Sequence, residues 1–176
     1  FSAVHRTLTL AELAALTGMT KSSAQRTIHT LERLGYVDKH PQTRRFRLTP
    51  RVMEIGYNYL AADALIPIAS PYLSQLANAS GETANLTEPV GLEMVYMAQL
   101  VTAKHMPVLT PVGMRIPMYC TSSGRAYLST LPDERVRAML EASARTPRTP
   151  VTLTDVETIF ERVVACRTVG YACNEE

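Results

Sequence analysis

Two helix-start signals lie close together near the beginning of this chain, and they constrain its fold more than any other feature. Thr9 and Glu12 stand at the spacing of a capping box, in which each side chain binds the backbone amide of the other residue. Gly18 then provides a left-handed stop. Thr20 is the N-cap of a second predicted helix over residues 21–34. Two helices joined by such a short turn predict a helix-turn-helix.

The second predicted helix has two different faces. One face repeats apolar residues at helical spacing and is expected to be buried: Ala24, Ile28, Leu31 and Leu34. The other face is polar and rich in hydrogen-bond donors: Ser22, Gln25, Arg26 and His29. Glutamine suits adenine and arginine suits guanine in the major groove, whereas Lys21 and the first-turn amides favour phosphate. Ser23, in the same turn, is a further candidate for DNA binding. An ordinary solvated helix face is the alternative for this stripe alone.

A basic hairpin is expected directly after this helix. Residues 36–39 and 45–48 predict two short strands, and residues 40–44 form the turn between them. The expected contacts to DNA phosphate or to the minor groove come from four side chains: Lys39, Arg44, Arg45 and Arg47. The hairpin makes the motif a winged helix-turn-helix, and duplex DNA is its expected partner.

The distribution of charge supports a polyanion partner for the first part of the chain only. Residues 1–51 hold nine Lys and Arg against three Asp and Glu, whereas the remainder holds nine against thirteen. With 46% hydrophobic and 19% charged residues, the composition is that of a folded protein rather than a disordered one. No apolar run approaches the roughly 18–20 residues of a membrane helix, so we expect a cytoplasmic protein without membrane contacts.

The string TLTLAELAALTGMTKSSAQRTIHTLERLGYV, followed by the hairpin, resembles the IclR family of bacterial transcriptional regulators. The resemblance extends over almost the whole chain and implies an α+β architecture in three parts. These are a winged helix-turn-helix over residues 1–49, a linker helix over 50–64 and a GAF-like α/β effector-binding domain with an antiparallel sheet over 65–176. Thr49 and Pro50 are expected to begin the linker helix.

Periodicity and caps predict the elements of the third part. A helix begins at Ile66 or Ser70, depending on the roles of Pro67 and Pro71, and ends at Gly81. Three strands follow, over residues 83–87, 93–100 and 106–112, with the apolar middle strand central. The remaining helices are expected from Ser122 to about Leu131, from a cap at Asp133, and from a capping box at Thr154 and Glu157 to Gly170.

The resemblance further implies a small organic acid as the effector of this domain. The blocks that carry it are ETANLTEPVGLEMVYMAQL, VGMRIPMYCTSSGRAYLSTLP and GYACNEE. Ser122 and Ser123 fall on the family's ligand loop, where hydroxyls and helix amides suit a carboxylate, although helix capping alone is equally open. Val108 and Ile116 match wall positions, with core packing as the favoured alternative. Asn174 stands where the family has an acidic contact, which puts that contact in doubt.

Enzyme signatures are missing from the sequence, so we expect no catalysis and no cofactor or metal. Cys120, Cys166 and Cys173 have no metal-ligand spacing and are expected to be reduced, buried thiols. The expected protein is a homodimer or dimer of dimers whose operator binding responds to an aromatic or aliphatic acid. A helix-turn-helix that serves only dimerisation or protein interaction is the alternative function. Because the family extends beyond both ends, we expect the chain to be a fragment of a longer protein.

Overall fold

The computed structural model describes residues 1–2, 4–102 and 111–175, and it divides into two compact units, Phe1–Asp63 and Ala64–Glu176. Each unit combines helices with a three-stranded antiparallel sheet, as the predicted α+β class requires. Within the described ranges, no helix has both the length and the apolar character needed to cross a membrane.

The first unit is a winged helix-turn-helix followed by one further helix. Its elements are β1 (Thr7–Leu8), α1 (Leu10–Thr17), α2 (Lys21–Arg33), β2 (Val37–Lys39), β3 (Phe46–Leu48) and α3 (Val52–Ala62). The capping box of α1 and the Thr20 cap of α2 are present as predicted. Strand β1 was not predicted, since two residues carry no alternation. It exists because it pairs with β3, in a sheet of order β1-β3-β2.

The core of the first unit joins helix α2 to the sheet. Ile28 of α2 packs with Val37 and Phe46 of the two wing strands, and leucines of α1 and α2 cover this cluster. Leu8 of β1 is also buried. Leu34 was expected on the buried face, but it is the C-cap of α2 and is about half exposed.

The linker helix α3 begins later than the sequence predicts. Thr49 is not its N-cap: the Thr49 hydroxyl donates to the Gly35 carbonyl oxygen at 2.6 Å and accepts from the Arg51 amide at 3.3 Å, so it ties the end of the wing to the end of α2 and to the turn before α3. The helix starts at Val52 after a turn through Pro50 and Arg51, and it has no buried residue.

The second unit is an antiparallel sheet covered by helices. Its elements are α4 (Leu65–Ser80), β4 (Ala84–Val90), β5 (Glu93–Leu100), β6 (Arg115–Pro117), α5 (Ser122–Ser129), α6 (Asp133–Ala142) and α7 (Val156–Val169). The strand order β4-β5-β6 confirms that β5 is central. Helix α4 starts before both candidate prolines, with Pro71 inside it, and β4 continues to Val90, beyond its predicted end at Thr87.

The predicted strand over residues 106–112 lies mostly outside the described residues. Its last residue, Val112, is in a turn, and the strand that pairs with β5 on the side away from β4 is β6. Two helix caps also differ from the prediction. Asp133 is the first residue of α6 rather than its cap, and it pairs with Arg167 of α7 at 2.6 Å. The N-cap of α7 is Asp155, one residue after the expected Thr154.

The core of the second unit lies between the sheet and helices α5, α6 and α7. Its most enclosed members are five side chains exposed by 1% or less: Leu128, Val136, Leu140, Ile159 and Val163. Cys120 and Cys166 are buried in this unit as predicted. The expectation for Cys173 was wrong, because its thiol is exposed in the segment that follows α7.

Candidate nucleic-acid interface and ligand site

The polar face of α2 is exposed along its whole length. Ser22, Gln25, Arg26 and His29 are all accessible, because the packing of Ala24 and Ile28 turns the opposite side of the helix inwards. Several of these groups can therefore reach the edges of bases in a major groove.

A small network arranges the start of this face. The Thr20 hydroxyl accepts from the Ser23 amide at 3.2 Å and donates to the Ser23 hydroxyl at 3.0 Å. The Ser23 hydroxyl in turn accepts from the Arg26 guanidinium at 3.4 Å. Ser23 is half-buried and supports Arg26 through this hydrogen bond, whereas Ser22 and Gln25 are exposed.

A cleft of about 370 Å³ lies between the start of α1, the first half of α2 and the wing. Lys21 and Gln25 line it from α2, and Lys39 and Arg44 line it from the wing. Arg44 occupies the turn with a φ of 57°, a left-handed conformation that is uncommon for a residue with a side chain. The structure thus gathers three cations and one amide that are separated in the sequence.

Three carboxylates of the first unit pair with arginines that do not line this cleft. Asp38 binds Arg47 at 2.9 Å, Glu12 binds Arg45 at 2.9 Å, and Glu54 binds Arg51 at 3.4 Å. Lys39 instead lies 5.2 Å above the ring of Phe46. None of these three ion pairs involves Lys21, Lys39 or Arg44, the cations that line the cleft.

The wing arginines, which the sequence groups together, occupy three different settings. Arg44 lines the cleft, and Arg47 lies on the exposed face of β3, where its Nε and Nη2 both donate to Asp38. Arg45 points to the other side, where it contacts Thr7 and Glu12. The Thr9 amide, the Thr9 hydroxyl and then Arg45 hold the pKa of Glu12 below its ordinary value.

In the second unit, Ser122 and Ser123 are the first two residues of α5 and are half-buried. Neither caps the helix. The N-cap is Thr121, whose hydroxyl accepts from the Gly124 amide at 3.3 Å and donates to the Pro117 carbonyl oxygen at 2.6 Å. Thr121, and not either serine, is therefore the residue that caps α5. Ser122 and Ser123 lie in the first turn, at the positive end of the helix dipole.

Two of the other three expected ligand residues, Ile116 and Asn174, lie within the described part of the chain. Ile116 of β6 packs against the hydrophobic core, which agrees with the core-packing role that the sequence favoured over a ligand wall. Asn174 is exposed in the segment after α7, and Val108 lies outside the described residues.

Arg125 is a buried residue that the sequence did not identify. It is only 4% exposed, and its guanidinium donates to the Tyr119 and Cys173 carbonyl oxygens, each at 3.3 Å. It thereby connects α5 to the segment after α7. No sequence signal would have found it, because arginine is normally exposed and its partners are backbone groups distant in sequence.

Comparison with known proteins agrees with both units. Residues 1–41 match the model of the IclR helix-turn-helix domain, and residues 57–176 match that of the bacterial transcriptional regulator IclR C-terminal domain. The Pca regulon regulatory protein of Pseudomonas putida is 33% identical over 97% of this chain and 58% of its own length. The chain thus spans less than two thirds of that relative.

Solved structures have the same architecture. A transcriptional regulator from Rhodococcus sp. RHA1 is 34% identical, with a TM-score of 0.71 over 97% of this chain and 67% of its own. An IclR homologue from Microbacterium hydrocarbonoxydans, solved in complex with 4-hydroxybenzoate, is 21% identical and has the same fold, with a TM-score of 0.69 over 98% of this chain and 71% of its own. From the family models, the relatives and the winged helix-turn-helix described above, the chain belongs to the IclR family of bacterial transcriptional regulators.

Proposed function

We propose that this chain binds duplex DNA through α2 and the wing and regulates transcription in response to a small organic acid. The observation that carries the proposal is the cleft that joins Lys21 and Gln25 of α2 to Lys39 and Arg44 of the wing. Such a cleft lets one surface contact bases and the phosphate backbone together. In a bacterium, a protein with this role works in the cytoplasm, where its operator is.

The exposed side of α2 and the cations around the cleft have different roles, the first in sequence specificity and the second in general affinity. Ser22, Gln25, Arg26 and His29 face the bases from the exposed side of α2. Lys21, Lys39 and Arg44 neutralise phosphates, and Ser23 holds Arg26. Arg47 is paired with Asp38 but is largely exposed and keeps three of its five N–H donors, with which it can contact DNA from the rim of the wing. Base contacts set the sequence that is preferred, whereas the phosphate contacts set a salt-dependent affinity for any duplex.

The effector site is the N-terminus of α5. With Thr121 as the cap, Ser122 and Ser123 present hydroxyls where the helix dipole favours a negative charge. A carboxylate is the ligand group that suits this arrangement. The solved homologue in complex with 4-hydroxybenzoate supports an aromatic acid as one candidate.

Helix α3 supports self-association. It has no buried residue, and Ile55 and Tyr59 are exposed one turn apart beside the half-buried Val52 and Leu60. An apolar helix surface of this kind is costly in water and is stabilised by a partner helix. A homodimer, or a dimer of dimers, would present two winged helices to a roughly palindromic operator.

Ligand and operator are coupled by thermodynamic linkage. If an acid binds one arrangement of the subunits more tightly than another, it changes operator affinity by the same factor by which the operator changes affinity for the acid. The direction of this effect decides whether the acid releases or recruits the regulator.

The test starts with a random duplex library, from which the chain enriches its preferred sequence. Fluorescence anisotropy then compares the enriched duplex with a scrambled one, with and without 4-hydroxybenzoate or succinate. We expect tighter binding of the enriched duplex and a shift of its affinity with one acid. Equal binding of both duplexes would contradict operator recognition. Self-association without any DNA binding would favour an interaction module instead.

A further inference from the structure

Arg45 is held by three hydrogen bonds to parts of the chain that are far away in sequence. Its Nε donates to the Thr7 hydroxyl at 3.0 Å, and its Nη2 donates to the Thr7 carbonyl oxygen at 3.0 Å. The same Nη2 donates to Glu12 Oε2 at 2.9 Å. One wing residue therefore contacts both β1 and the first turn of α1.

These contacts leave Arg45 poorly suited to bind phosphate. Three of the five N–H donors of its guanidinium are used within the unit, and the Glu12 carboxylate beside it repels a second anion. The neighbouring Arg44 lies in a different environment. It is exposed, and it lines the cleft with Lys21 and Lys39.

Glu12 is fixed by the same arrangement. Its Oε2 accepts from the Thr9 amide at 2.7 Å and from the Thr9 hydroxyl at 3.0 Å, in addition to Arg45. The carboxylate that completes the capping box of α1 thus also anchors the wing. Strand β1 has only two residues, so its pairing with β3 needs support from side chains.

We propose that Arg45 is a positioning residue, which holds the wing against α1 so that Arg44 and Lys39 stand beside the recognition helix, and that it makes no phosphate contact. This inference rests on the proposed DNA-binding function and assigns different roles to two adjacent arginines. It follows that removing Arg45 weakens DNA binding because the loosened wing must be ordered on the DNA, where its phosphate contacts still form and keep the salt slope. Removing Arg44 instead weakens binding through a lost charge contact.

The experiment compares Arg45→Gln, Glu12→Gln and the matched control Arg44→Gln on a mixed-sequence 30-base-pair duplex. Gln at position 12 keeps the capping-box hydrogen bond but removes the ion pair. Anisotropy titrations over a range of salt give the affinity and its salt slope. We expect Arg44→Gln to lower the slope by about one, as the loss of one phosphate contact requires.

Arg45→Gln and Glu12→Gln should keep the wild-type slope and each lose affinity by about threefold to tenfold. The double variant should be no weaker than Arg45→Gln alone, because the two groups act as one unit. A slope lowered by Arg45→Gln as much as by Arg44→Gln would overturn the proposal. So would tighter binding by Glu12→Gln, since that is the effect of removing a repulsive charge near phosphate.

Amide hydrogen exchange separates this inference from the proposed function, since it needs no DNA. Arg45→Gln and Glu12→Gln should accelerate exchange at the paired residues Leu8 and Phe46, whereas Arg44→Gln should not. Unchanged exchange in both variants would overturn the positioning role even if DNA binds. Failure of the wild-type chain to bind any duplex, with accelerated exchange in the variants, would reject the proposed function but retain the role of Arg45 in holding the wing against α1.

Discussion

Gly124 of α5 lies so close to Met118 that a Cβ placed on Gly124 would stand 2.3 Å from the Met118 Cα. The obstructing atoms belong to the Met118 backbone, so no change of rotamer can relieve the clash. Both residues are buried, and Met118 belongs to the core of the second unit. The glycine is required here by close approach of two backbone segments and not by an unusual φ.

Replacing Gly124 with alanine should therefore destabilise the second unit by about 1–3 kcal/mol or more, since overpacking a rigid site forces the backbone to move. Thermal unfolding followed by circular dichroism measures the effect. The control is Gly56→Ala in α3, where a Cβ meets no atom within 4 Å and alanine favours the helix. Equal melting temperatures for the two variants would show that the approach at Met118 is not constrained.

The α7 cap should make stability depend on pH. Hydrogen bonds from the Thr158 amide and then the Thr158 hydroxyl hold the pKa of Asp155 below its ordinary value. The contribution of the Asp155 carboxylate to the free energy of unfolding is therefore fully present above its unfolded pKa, about 3.9, and is lost as the pH falls through the lower folded pKa. Asp155→Asn should keep the capping hydrogen bond but reduce the loss of stability at acidic pH, because the amide does not titrate. Asp155→Ala removes the cap and should lower the melting temperature at neutral pH.

Thr154→Ala is the matched control for the cap, because Thr154 is the position that the sequence favours. Its backbone oxygen accepts from Arg145 Nε at 2.9 Å, and this bond survives the substitution. We expect almost no change in melting temperature. A loss as large as that of Asp155→Ala would place the start of α7 one residue earlier.

Specificity and general affinity should separate by mutation of the DNA-binding surface. Gln25→Ala should cost about 1–3 kcal/mol on the preferred duplex and little on a scrambled one, because it removes a base contact. Arg44→Ala should weaken both duplexes alike. Arg33→Ala, at the C-terminal end of α2, is the control for loss of a positive charge. Equal losses for Gln25→Ala on both duplexes would mean that Gln25 reads no base.

Self-association through α3 should be sensitive to a charge on its apolar side. Ile55→Glu should shift the chain towards monomer at a given concentration, as measured by sedimentation velocity, because the charge must be buried in the interface. Asn58→Glu adds the same charge to the same helix beside the polar position Glu54 and should leave assembly unchanged. An unaltered sedimentation profile for Ile55→Glu would exclude this face as the dimer contact.

Local signals in the sequence predicted much of the first unit. The capping box at Thr9 and Glu12, and the Thr20 cap, depend on residues three positions apart, so periodicity and caps alone locate both helices. The same logic misplaced the starts of α3 and α7. The Thr49 hydroxyl donates to the Gly35 carbonyl oxygen instead of capping α3. The Asp155 carboxylate, and not the Thr154 hydroxyl, accepts from the Thr158 amide and caps α7.

The candidate sites were predictable as regions but not as sets of side chains. The exposed face of α2 follows from its apolar stripe, and the α5 loop follows from its hydroxyl-rich start. The buried Arg125 was not predictable, because its acceptors are the carbonyl oxygens of Tyr119 and Cys173. The same holds for β1, which forms only by pairing with β3.

The sequence by itself determined that this protein has a basic winged helix-turn-helix ahead of an α/β domain, because caps, periodicity and charge act over a few residues. Only the tertiary structure decided what the adjacent Arg44 and Arg45 do. Pairing of β1 with β3 brings Thr7 and Glu12 to Arg45, while the left-handed turn at Arg44 directs that residue to the cleft. A guanidinium binds whichever acceptor the fold places within reach, and that choice is made by contacts between distant residues.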